Sequence, residues 1–274
     1  MDILVESGAT KSTGIGYEGT SIFFTYKTAG INATYTSKEA IHDIFCDLIV
    51  KNNIEASKIQ NIRYYGAGCF NKIHAEKVKE VLHNLFPNAN ITVLSDLYAA
   101  CHALCHQKKG WVGILGTGAA SCFYDGEQIV KKVPSLGWLL GDEGSGIYLG
   151  KLFVKEYLSD NLENEITLDF EKTFSVSKPN VFEKVYQTPN PQTFFASLPV
   201  FLHKHIEKKQ IKTLIENAFQ EFFNQQIEYY SEFPHPWFFC GSIAYYFQDI
   251  LVEVAKKNHL KIERIIQECA KDLL

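Results

Sequence analysis

The amino-acid sequence predicts an α/β protein built from two copies of one unit of the β-β-β-α type. In the first half, short runs of β-branched and aromatic residues alternate with turn residues and with stretches of helical periodicity. The same order begins again at Trp111. Each copy has a corner of tyrosine, acid and glycine, which is Tyr17-Glu18-Gly19 in the first and Tyr124-Asp125-Gly126 in the second. A chain of 274 residues is long enough for two such domains.

The elements of the first copy follow from these patterns. Its strands are short apolar runs that end in small or polar residues, and we expect them at 3–5, 21–26, 62–65 and 91–94. Its helices carry apolar residues at spacings of three and four, and we expect them at 39–50, 74–85 and 97–106.

The second copy is longer, because a mainly helical stretch separates its strands. Strands are expected at 111–115, in the hairpin that follows, and at 237–240. Helices are expected at 150–158, 191–208, 211–230, 242–257 and 262–274. Because the repeat restarts near 107–110, we expect one domain at 1–108, with a closing helix in 258–274 packing back on it, and a second domain at 109–257.

Composition excludes several classes of partner. The chain has 27 basic and 31 acidic residues, a net charge of −4, so it lacks the basic surface that a nucleic acid requires. Its first residues are acidic, which is unlike a signal peptide, and no run of about 18 apolar residues could cross a membrane. We therefore expect a cytoplasmic protein. The seven cysteines are scattered and odd in number, which favours reduced thiols over a disulfide framework.

Two turns of small residues follow predicted strands and have the character of phosphate-binding turns. The first is 6–11, where Gly8 lets backbone N–H groups approach an anion, with Thr10 and Lys11 beside it. The second is 116–121, Gly-Thr-Gly-Ala-Ala-Ser, which has no cation. Each could instead be a tight hairpin with polar residues in solvent. Neither matches the P-loop or the dinucleotide-binding pattern.

Acidic residues mark two further segments. Asp96 follows the strand at 91–94, where a carboxylate could accept a proton from a substrate hydroxyl, although a helix N-cap is the other interpretation. The segment 137–146 contains Asp142 and Glu143 among closely spaced glycines. The adjacent acids Asp142 and Glu143 point to a functional loop or, alternatively, to a helix N-terminus that favours acids.

A cysteine and histidine segment at 101–106 suggests a metal site at first sight. Cys101 and Cys105 share one face of the predicted helix, and His102 and His106 share another. Because the thiols and imidazoles point in different directions, core cysteines flanked by histidines are the better interpretation.

In this order, the turns resemble those of the actin-like ATPase superfamily, which includes sugar kinases and heat-shock chaperones. The sharpest sign is Gly-Asp-Glu-Gly-Ser-Gly at 141–146. The sequence is similar to the BadF/BadG/BcrA/BcrD ATPase family, and most similar to its N-acetylglucosamine kinase branch. The resemblance implies two ribonuclease H-like domains around a central cleft.

The resemblance also implies roles for individual residues. By position, Gly8, Thr10 and Lys11 match the first phosphate motif, and Asp96 matches the catalytic carboxylate. The second phosphate motif corresponds to Gly116, Thr117 and Gly118, and the adenosine motif to Gly241 and Ser242. The matching sugar-binding residues are Asn32, Gly118, Asp142 and Ser145.

The sequence departs from the family pattern at two positions next to these motifs. Glu6 stands where the family has an aspartate that holds Mg²⁺, and the longer side chain shifts that role. Leu136 stands where the family has a tryptophan one residue before a glycine, whereas here Trp138 follows Gly137. The first departure affects the expected metal ligand, and the second affects the expected sugar contact.

The resemblance implies a kinase that transfers the γ-phosphate of ATP, with Mg²⁺, to an N-acetylated amino sugar, with N-acetylglucosamine as the first candidate. It is compatible with a homodimer. One alternative is an ATPase activator of a radical dehydratase, although the chain has no evident cysteine pair in a glycine-rich loop for the iron–sulfur cluster. The other is a non-catalytic regulator that binds ATP or sugar.

Overall fold

The computed structural model describes all 274 residues and divides into two compact units. One comprises Met1–Gln107 with Glu268–Leu274, and the other comprises Lys108–Gln267. Each unit has a five-stranded mixed sheet, helices and a hydrophobic core of its own. The predicted α/β class and the duplication are confirmed.

The first unit has five strands and three α-helices. The strands are β1 Asp2–Ser7, β2 Lys11–Glu18, β3 Ser21–Ala29, β4 Asn61–Gly66 and β5 Asn90–Ser95. The helices are α1 Lys38–Lys51, α2 Lys72–Leu85 and α3 Asp96–Cys105, with a 3-10 turn at Ala56–Lys58 and a second at Ala270–Leu273. The sheet order is β3-β2-β1-β4-β5, in which β1, β4 and β5 are parallel.

The second unit repeats this sheet and adds more helices. Its strands are β6 Gly110–Leu115, β7 Ala119–Tyr124, β8 Ile129–Lys132, β9 Trp237–Cys240 and β10 Ile262–Ile266. Its helices are α4 Gly137–Leu140, α5 Gly146–Leu158, α6 Asn164–Phe174, α7 Lys178–Tyr186, α8 Pro191–Ser197, α9 Pro199–Lys204, α10 Lys209–Tyr230, α11 Ser242–Tyr246 and α12 Gln248–Lys257. The sheet order β8-β7-β6-β9-β10 matches that of the first unit strand for strand.

The closing helix expected at 258–274 is wrong. Residues Ile262–Ile266 form β10, which pairs in parallel with β9 at the edge of the second sheet. The isoleucines at 262, 265 and 266 fit a helical spacing as well as a strand, and an apolar run this short does not distinguish the two. The unpaired edge of β9 supplies the hydrogen bonds that decide in favour of the strand.

Two other predicted helices are divided. The helix expected at 191–208 becomes α8 and α9, because Pro199 has no N–H to continue the first helix. The helix expected at 242–257 becomes α11 and α12, which meet at Phe247. No helix of the protein combines the length and the apolar character that a bilayer-spanning segment requires.

Candidate functional site

The parallel strands of the first unit bring two predicted site residues to one edge of the sheet. Glu6 of β1 is in register with Tyr65 of β4, which is in register with Leu94 of β5. Asp96 follows β5 directly, and its charge contributes to raising the pKa of Glu6. The structure therefore places both carboxylates where the carboxyl ends of parallel strands commonly bind ligands.

Asp96 begins helix α3 but is not its N-cap. Ser95 occupies the cap position, although its buried hydroxyl makes no capping hydrogen bond. The backbone N–H of Leu97 donates to Oδ1 of Asp96 at 3.0 Å. The helix N-terminus favours an ionised carboxylate at this position. Asp96 is therefore not the N-cap, and the structural role that remains for it is that of an acid in the first turn of α3.

The first phosphate turn is a tight connection between β1 and β2. The N–H of Gly8 donates to the carbonyl of Lys11 at 2.9 Å, and residues 9–11 are exposed. The segment that follows β3 packs directly against this turn. A Cβ on Gly30 would lie 2.4 Å from the carbonyl oxygen of Gly8, so only glycine fits there.

Asn32 is anchored close to the same turn. Its N-terminal neighbour Ile31 donates its N–H to the buried hydroxyl of Ser7 at 2.8 Å. Asn32 itself forms a parallel bridge with Ala67, just beyond β4, and its Oδ1 accepts from the N–H of Thr34 at 3.0 Å. The predicted sugar loop and the predicted phosphate turn are therefore connected through β1.

Charges around Glu6 make it a candidate ligand for a cation. Burial raises the pKa of Glu6, the negative charge of Glu268 raises it further, and Lys11 opposes both. Lys11 itself forms an ion pair of 2.6 Å with Glu268. No three acidic, histidine or cysteine side chains lie close enough to enclose a metal ion. The residues fit a Mg²⁺ ion held by one carboxylate together with phosphates and water, which is its usual mode of binding.

The second phosphate turn is fixed to the start of helix α5. The N–H of Gly116 donates to the carbonyl of Gly118 at 3.0 Å, the N–H of Gly146 donates to Gly116 at 2.8 Å, and Ile147 donates to Thr117 at 3.1 Å. The first turn of α5 therefore supports the loop. A Cβ on Gly116 would meet no atom within 4 Å, so the space beside this residue is open.

Asp142 lies against this second turn. It adopts a left-handed conformation with φ of 59°, and a Cβ on Gly118 would be 2.8 Å from its Oδ2. Burial raises the pKa of Asp142, and the backbone N–H of Ala119 and the charge of Lys151 oppose the rise. A half-buried carboxylate of this kind can accept hydrogen bonds from hydroxyl groups.

Ser145 acts locally as a helix cap. Its hydroxyl accepts from the N–H of Tyr148 at 3.1 Å at the start of α5, and its side chain is fully buried. This role orients the loop that carries Asp142, since the N–H of Ser145 also donates to the carbonyl of Asp142 at 3.0 Å.

The predicted adenosine turn adjoins the second phosphate turn. Gly241 has a φ of 120°, and a Cβ there would lie 2.3 Å from the carbonyl oxygen of Leu115. Ser242 then begins α11. The structure thus brings together Gly116–Gly118, Asp142 and Gly241 in the second unit, as it brings together Glu6, Gly8, Asn32 and Asp96 in the first.

Leu136 and Trp138, the residues that depart from the family's tryptophan pattern, differ in their exposure to solvent. Leu136 is 60% exposed, and Gly137 has a φ of 74° at the start of α4. Trp138 is half-buried, and its carbonyl accepts from Nζ of Lys151 at 2.6 Å. Lys151 was not among the expected site residues, and only its position in the folded unit links it to the Asp142 loop.

The cysteine and histidine segment packs into the first unit. Cys101 and Cys105 are fully buried, and Nδ1 of His102 lies 3.1 Å from the hydroxyl of Tyr65. Burial lowers the pKa of His102, and the charge of Arg63 lowers it further. These contacts agree with the interpretation of the segment as core.

Comparison with solved structures finds strong similarity. A protein from Porphyromonas gingivalis, described as a candidate N-acetylglucosamine kinase, is 30% identical, with a TM-score of 0.94 over 100% of this chain and 97% of that chain. A protein from Chromobacterium violaceum with the same description is 15% identical, with a TM-score of 0.77 over 99% and 96%. A ROK family glucokinase from Streptomyces griseus, in complex with glucose and AMPPNP, is 11% identical, with a TM-score of 0.53 over 97% and 93%. The last two show the fold alone. No family model and no curated protein matches the sequence.

Proposed function

Because the chain belongs to the N-acetylglucosamine kinase-like branch of the BadF-type ATPases, within the actin-like ATPase superfamily, we propose that it is an ATP-dependent sugar kinase. Its substrate in this proposal is an N-acetylated amino sugar, with N-acetylglucosamine as the first candidate. The observation that carries the proposal is the similarity to the Porphyromonas gingivalis protein, which covers the whole of this chain and therefore every segment expected to bind ATP or sugar.

In this proposal the nucleotide is bound mainly by backbone groups. The turns 8–11 and 116–118 let the phosphates approach the main chain, because their residues are small. The N–H groups of Gly8 and Gly116 are already donated within the turns, so the remaining N–H groups are the proposed donors. Thr10 and Lys11 add a hydroxyl and a cation to the first turn. Gly241 and Ser242 hold the adenosine where a strand turns into a helix. When bound, Mg²⁺ neutralises charge on the β- and γ-phosphates, and Glu6 is its proposed protein ligand.

The sugar is held by side chains that accept and donate hydrogen bonds. Asp142 accepts from sugar hydroxyls, and Asn32 supplies an amide at the end of the loop next to the first phosphate turn. Gly118 and Ser145 shape the surroundings of Asp142. The sugar oxygen bonds to the γ-phosphorus while the bond from that phosphorus to the β,γ-bridging oxygen breaks, so that ADP leaves. Asp96 accepts the proton of the attacking hydroxyl in this step.

The proposal is tested by measuring ADP release with a panel of sugars. The panel contains hexoses, N-acetylhexosamines and muramic derivatives, each with ATP and Mg²⁺, and a reaction without sugar gives the background. We expect N-acetylglucosamine to raise ADP release well above background. If plain hexoses raise ADP release and no amino sugar does, the substrate class is contradicted. If no sugar in the panel raises ADP release above the background, the kinase proposal is contradicted.

A further inference from the structure

One glutamine interrupts the buried face of the longest helix. The buried positions of α10 recur at the spacing of a core-facing stripe, and all but one of them are apolar: Ile211, Leu214, Ile215, Ala218, Phe219, Phe222, Phe223 and Gln226. Gln226 is 3% exposed. A residue at this position of the stripe would ordinarily be apolar, such as leucine or phenylalanine. The presence of a polar amide in the core therefore has to be explained by the hydrogen bonds that it makes.

The side chain of Gln226 is only half satisfied by the protein. The buried hydroxyl of Ser121, on β7, donates to its Oε1 at 2.8 Å. Its amide nitrogen Nε2 makes no hydrogen bond to the protein. The nitrogen is not among the fully buried polar atoms that lack a partner, so it is accessible to a partner from outside the protein, either water or a ligand.

Gln226 lines a small pocket in the second unit that is open to solvent. Apolar surface comes from Ala119, Ala120, Val133 and Phe222, with Pro134 and Leu136 towards the rim. Asp142, the proposed sugar-binding carboxylate, lines the same cavity. The pocket therefore combines an amide donor that has no protein partner, an apolar wall on one side, and the carboxylates of Asp142 and Glu143.

We propose that Gln226, supported by Ser121, forms the subsite that recognises the acyl group of an N-acylated sugar. This inference rests on the proposed function and names the residue that selects its substrate class. An acylamino group has a carbonyl oxygen that can accept from Nε2 of Gln226, and a methyl group that suits the apolar wall. A free amine would be a cation and could not accept this hydrogen bond, and a hydroxyl would leave the apolar wall exposed to water.

Ser121 has a positioning role in this subsite. By donating to Oε1, its hydroxyl fixes which end of the amide faces the cavity, so that Nε2 and not Oε1 meets the ligand. The two side chains come from different elements, β7 and α10, and both are almost fully buried. The orientation of the donor is therefore set by the core of the unit before any ligand binds.

The test compares sugar binding by the wild type and by Gln226→Met, a substitution of similar size and shape. Calorimetric titrations with N-acetylglucosamine, glucosamine and glucose measure affinity without requiring turnover. We expect Gln226→Met to weaken binding of N-acetylglucosamine by about three- to tenfold, the effect of losing one neutral hydrogen bond. The preference for N-acetylglucosamine over glucose should fall by the same factor, and ATP affinity should not change.

Two further variants separate recognition from folding. Gln225→Met changes the neighbouring glutamine, which also lines the cavity but is exposed, and should leave the preference for N-acetylglucosamine as it is. The double variant Ser121→Ala with Gln226→Met removes both partners of the buried hydrogen bond, so no hydroxyl is left unpaired and the unfolding temperature should stay close to that of the wild type. It should still lack the preference.

The outcomes distinguish this inference from the proposed function. If the wild type prefers N-acetylglucosamine and Gln226→Met keeps that preference, the acyl subsite is overturned while the kinase proposal stands. If the preference depends on Gln226 but no sugar stimulates ADP release, the subsite stands and the kinase proposal fails. A wild type that binds glucosamine or glucose at least as tightly as N-acetylglucosamine would overturn the subsite, and one that binds no sugar would overturn both.

Discussion

At the scale of single residues, Asp96 has a position that allows its chemical role to be tested without disturbing the fold. Since Ser95 is the N-cap of α3, Asp96→Asn leaves the cap in place, and the amide oxygen can still accept from the N–H of Leu97. We expect turnover to fall by ~10²–10⁴-fold, the contribution of a positioned proton acceptor. Steady-state kinetics measures this loss. Sugar affinity should fall less, and nucleotide affinity should hardly change.

The contrary result for Asp96 is equally clear. A soluble Asp96→Asn protein with the turnover of the wild type would show that the carboxylate only starts the helix. A variant that fails to fold would be recognised by a low unfolding temperature, and Asp96→Glu then serves as the second substitution, because it keeps the charge and moves it by one CH₂.

The buried carboxylate of Glu6 is expected to lower the stability of the protein at neutral pH, although the same charge is proposed to hold the metal. Its pKa is raised above the ordinary 4.5, mainly by burial, so the carboxylate of the folded protein is harder to ionise than that of the unfolded chain. Its contribution to stability is therefore full below pH 4.5 and is lost as the pH rises through the folded pKa. We expect Glu6→Gln to unfold at a higher temperature than the wild type at pH 7 and at the same temperature below pH 4.5, as measured by thermal scans across pH.

The same substitution should impair activity. If Glu6 holds Mg²⁺, Glu6→Gln removes an oxygen charge from the metal site, and a higher Mg²⁺ concentration should be needed for half-maximal turnover. Lys27→Gln is a matched control, because Lys27 is an exposed neighbour of Glu268 and was not expected to contact the metal. An unchanged Mg²⁺ titration for Glu6→Gln would remove Glu6 from the site.

At the scale of elements, substitution by alanine is expected to lower stability at one of two neighbouring turn glycines in the second unit and to leave it unchanged at the other. Gly241→Ala would put a Cβ 2.3 Å from the carbonyl of Leu115 at a φ of 120°, so we expect a loss of roughly 2–5 kcal/mol of stability. Gly116→Ala meets no atom, so its stability should stay within about 0.5 kcal/mol of the wild type. Denaturant unfolding measures both free energies.

Gly116→Ala should nevertheless change nucleotide binding. Its new methyl group would occupy the open space where the phosphates are proposed to approach the backbone, and we expect ATP to bind about tenfold more weakly, or roughly 1.4 kcal/mol. Titration of the folded variant with ATP measures this. Unchanged ATP affinity would mean that the turn has no phosphate in contact at Gly116.

The sequence predicted elements well where local signals agree. Strands β4, β5 and β6 are β-branched or aromatic runs that end in glycine or serine or are followed directly by glycine. The prediction failed for β10, whose isoleucines suit either a strand or a helix. Only the partner strand β9, brought alongside by the fold, decides between them.

The candidate site divides in the same way. Residues within short motifs, such as Gly8, Asp96 and Asp142, could be proposed from the sequence because their neighbours carry the signal, and their roles stay predictions. Lys151 and Gln226 could not be proposed in this way, because their contacts are with segments distant in the sequence. Gln226 did leave a trace in the sequence, as the one polar residue on an otherwise apolar helical stripe.

At the scale of the whole molecule, the duplication separates the chemistry into two sets of residues. The first unit carries the proposed proton acceptor and metal ligand, at the ends of β1 and β5. The second carries the adenosine turn and the proposed sugar carboxylate, beside β6 and β9. Each set rests on its own sheet and core, so a substitution in one core should affect the residues of that unit most directly.

The cysteines allow the integrity of both cores to be measured together. All seven are free thiols, and six of them are buried, four in the first unit and two in the second; only Cys46 is half-buried. A thiol reacts as the thiolate, and burial makes this form rare: it raises the pKa of Cys69 to about 12. We expect a disulfide reagent such as DTNB to modify about one thiol rapidly in the native protein and all seven in denaturant.

Cys46→Ser tests the assignment of the reactive thiol. This variant should lose the rapid phase and react at six thiols once denatured, because the remaining cysteines are reached only when the chain opens. Their slow modification in the native state then reports how often each core opens. If a rapid phase persists in Cys46→Ser, at least one buried cysteine lies in a segment that opens far more readily than the packing of its unit implies, and mass analysis of the modified peptide would identify that segment.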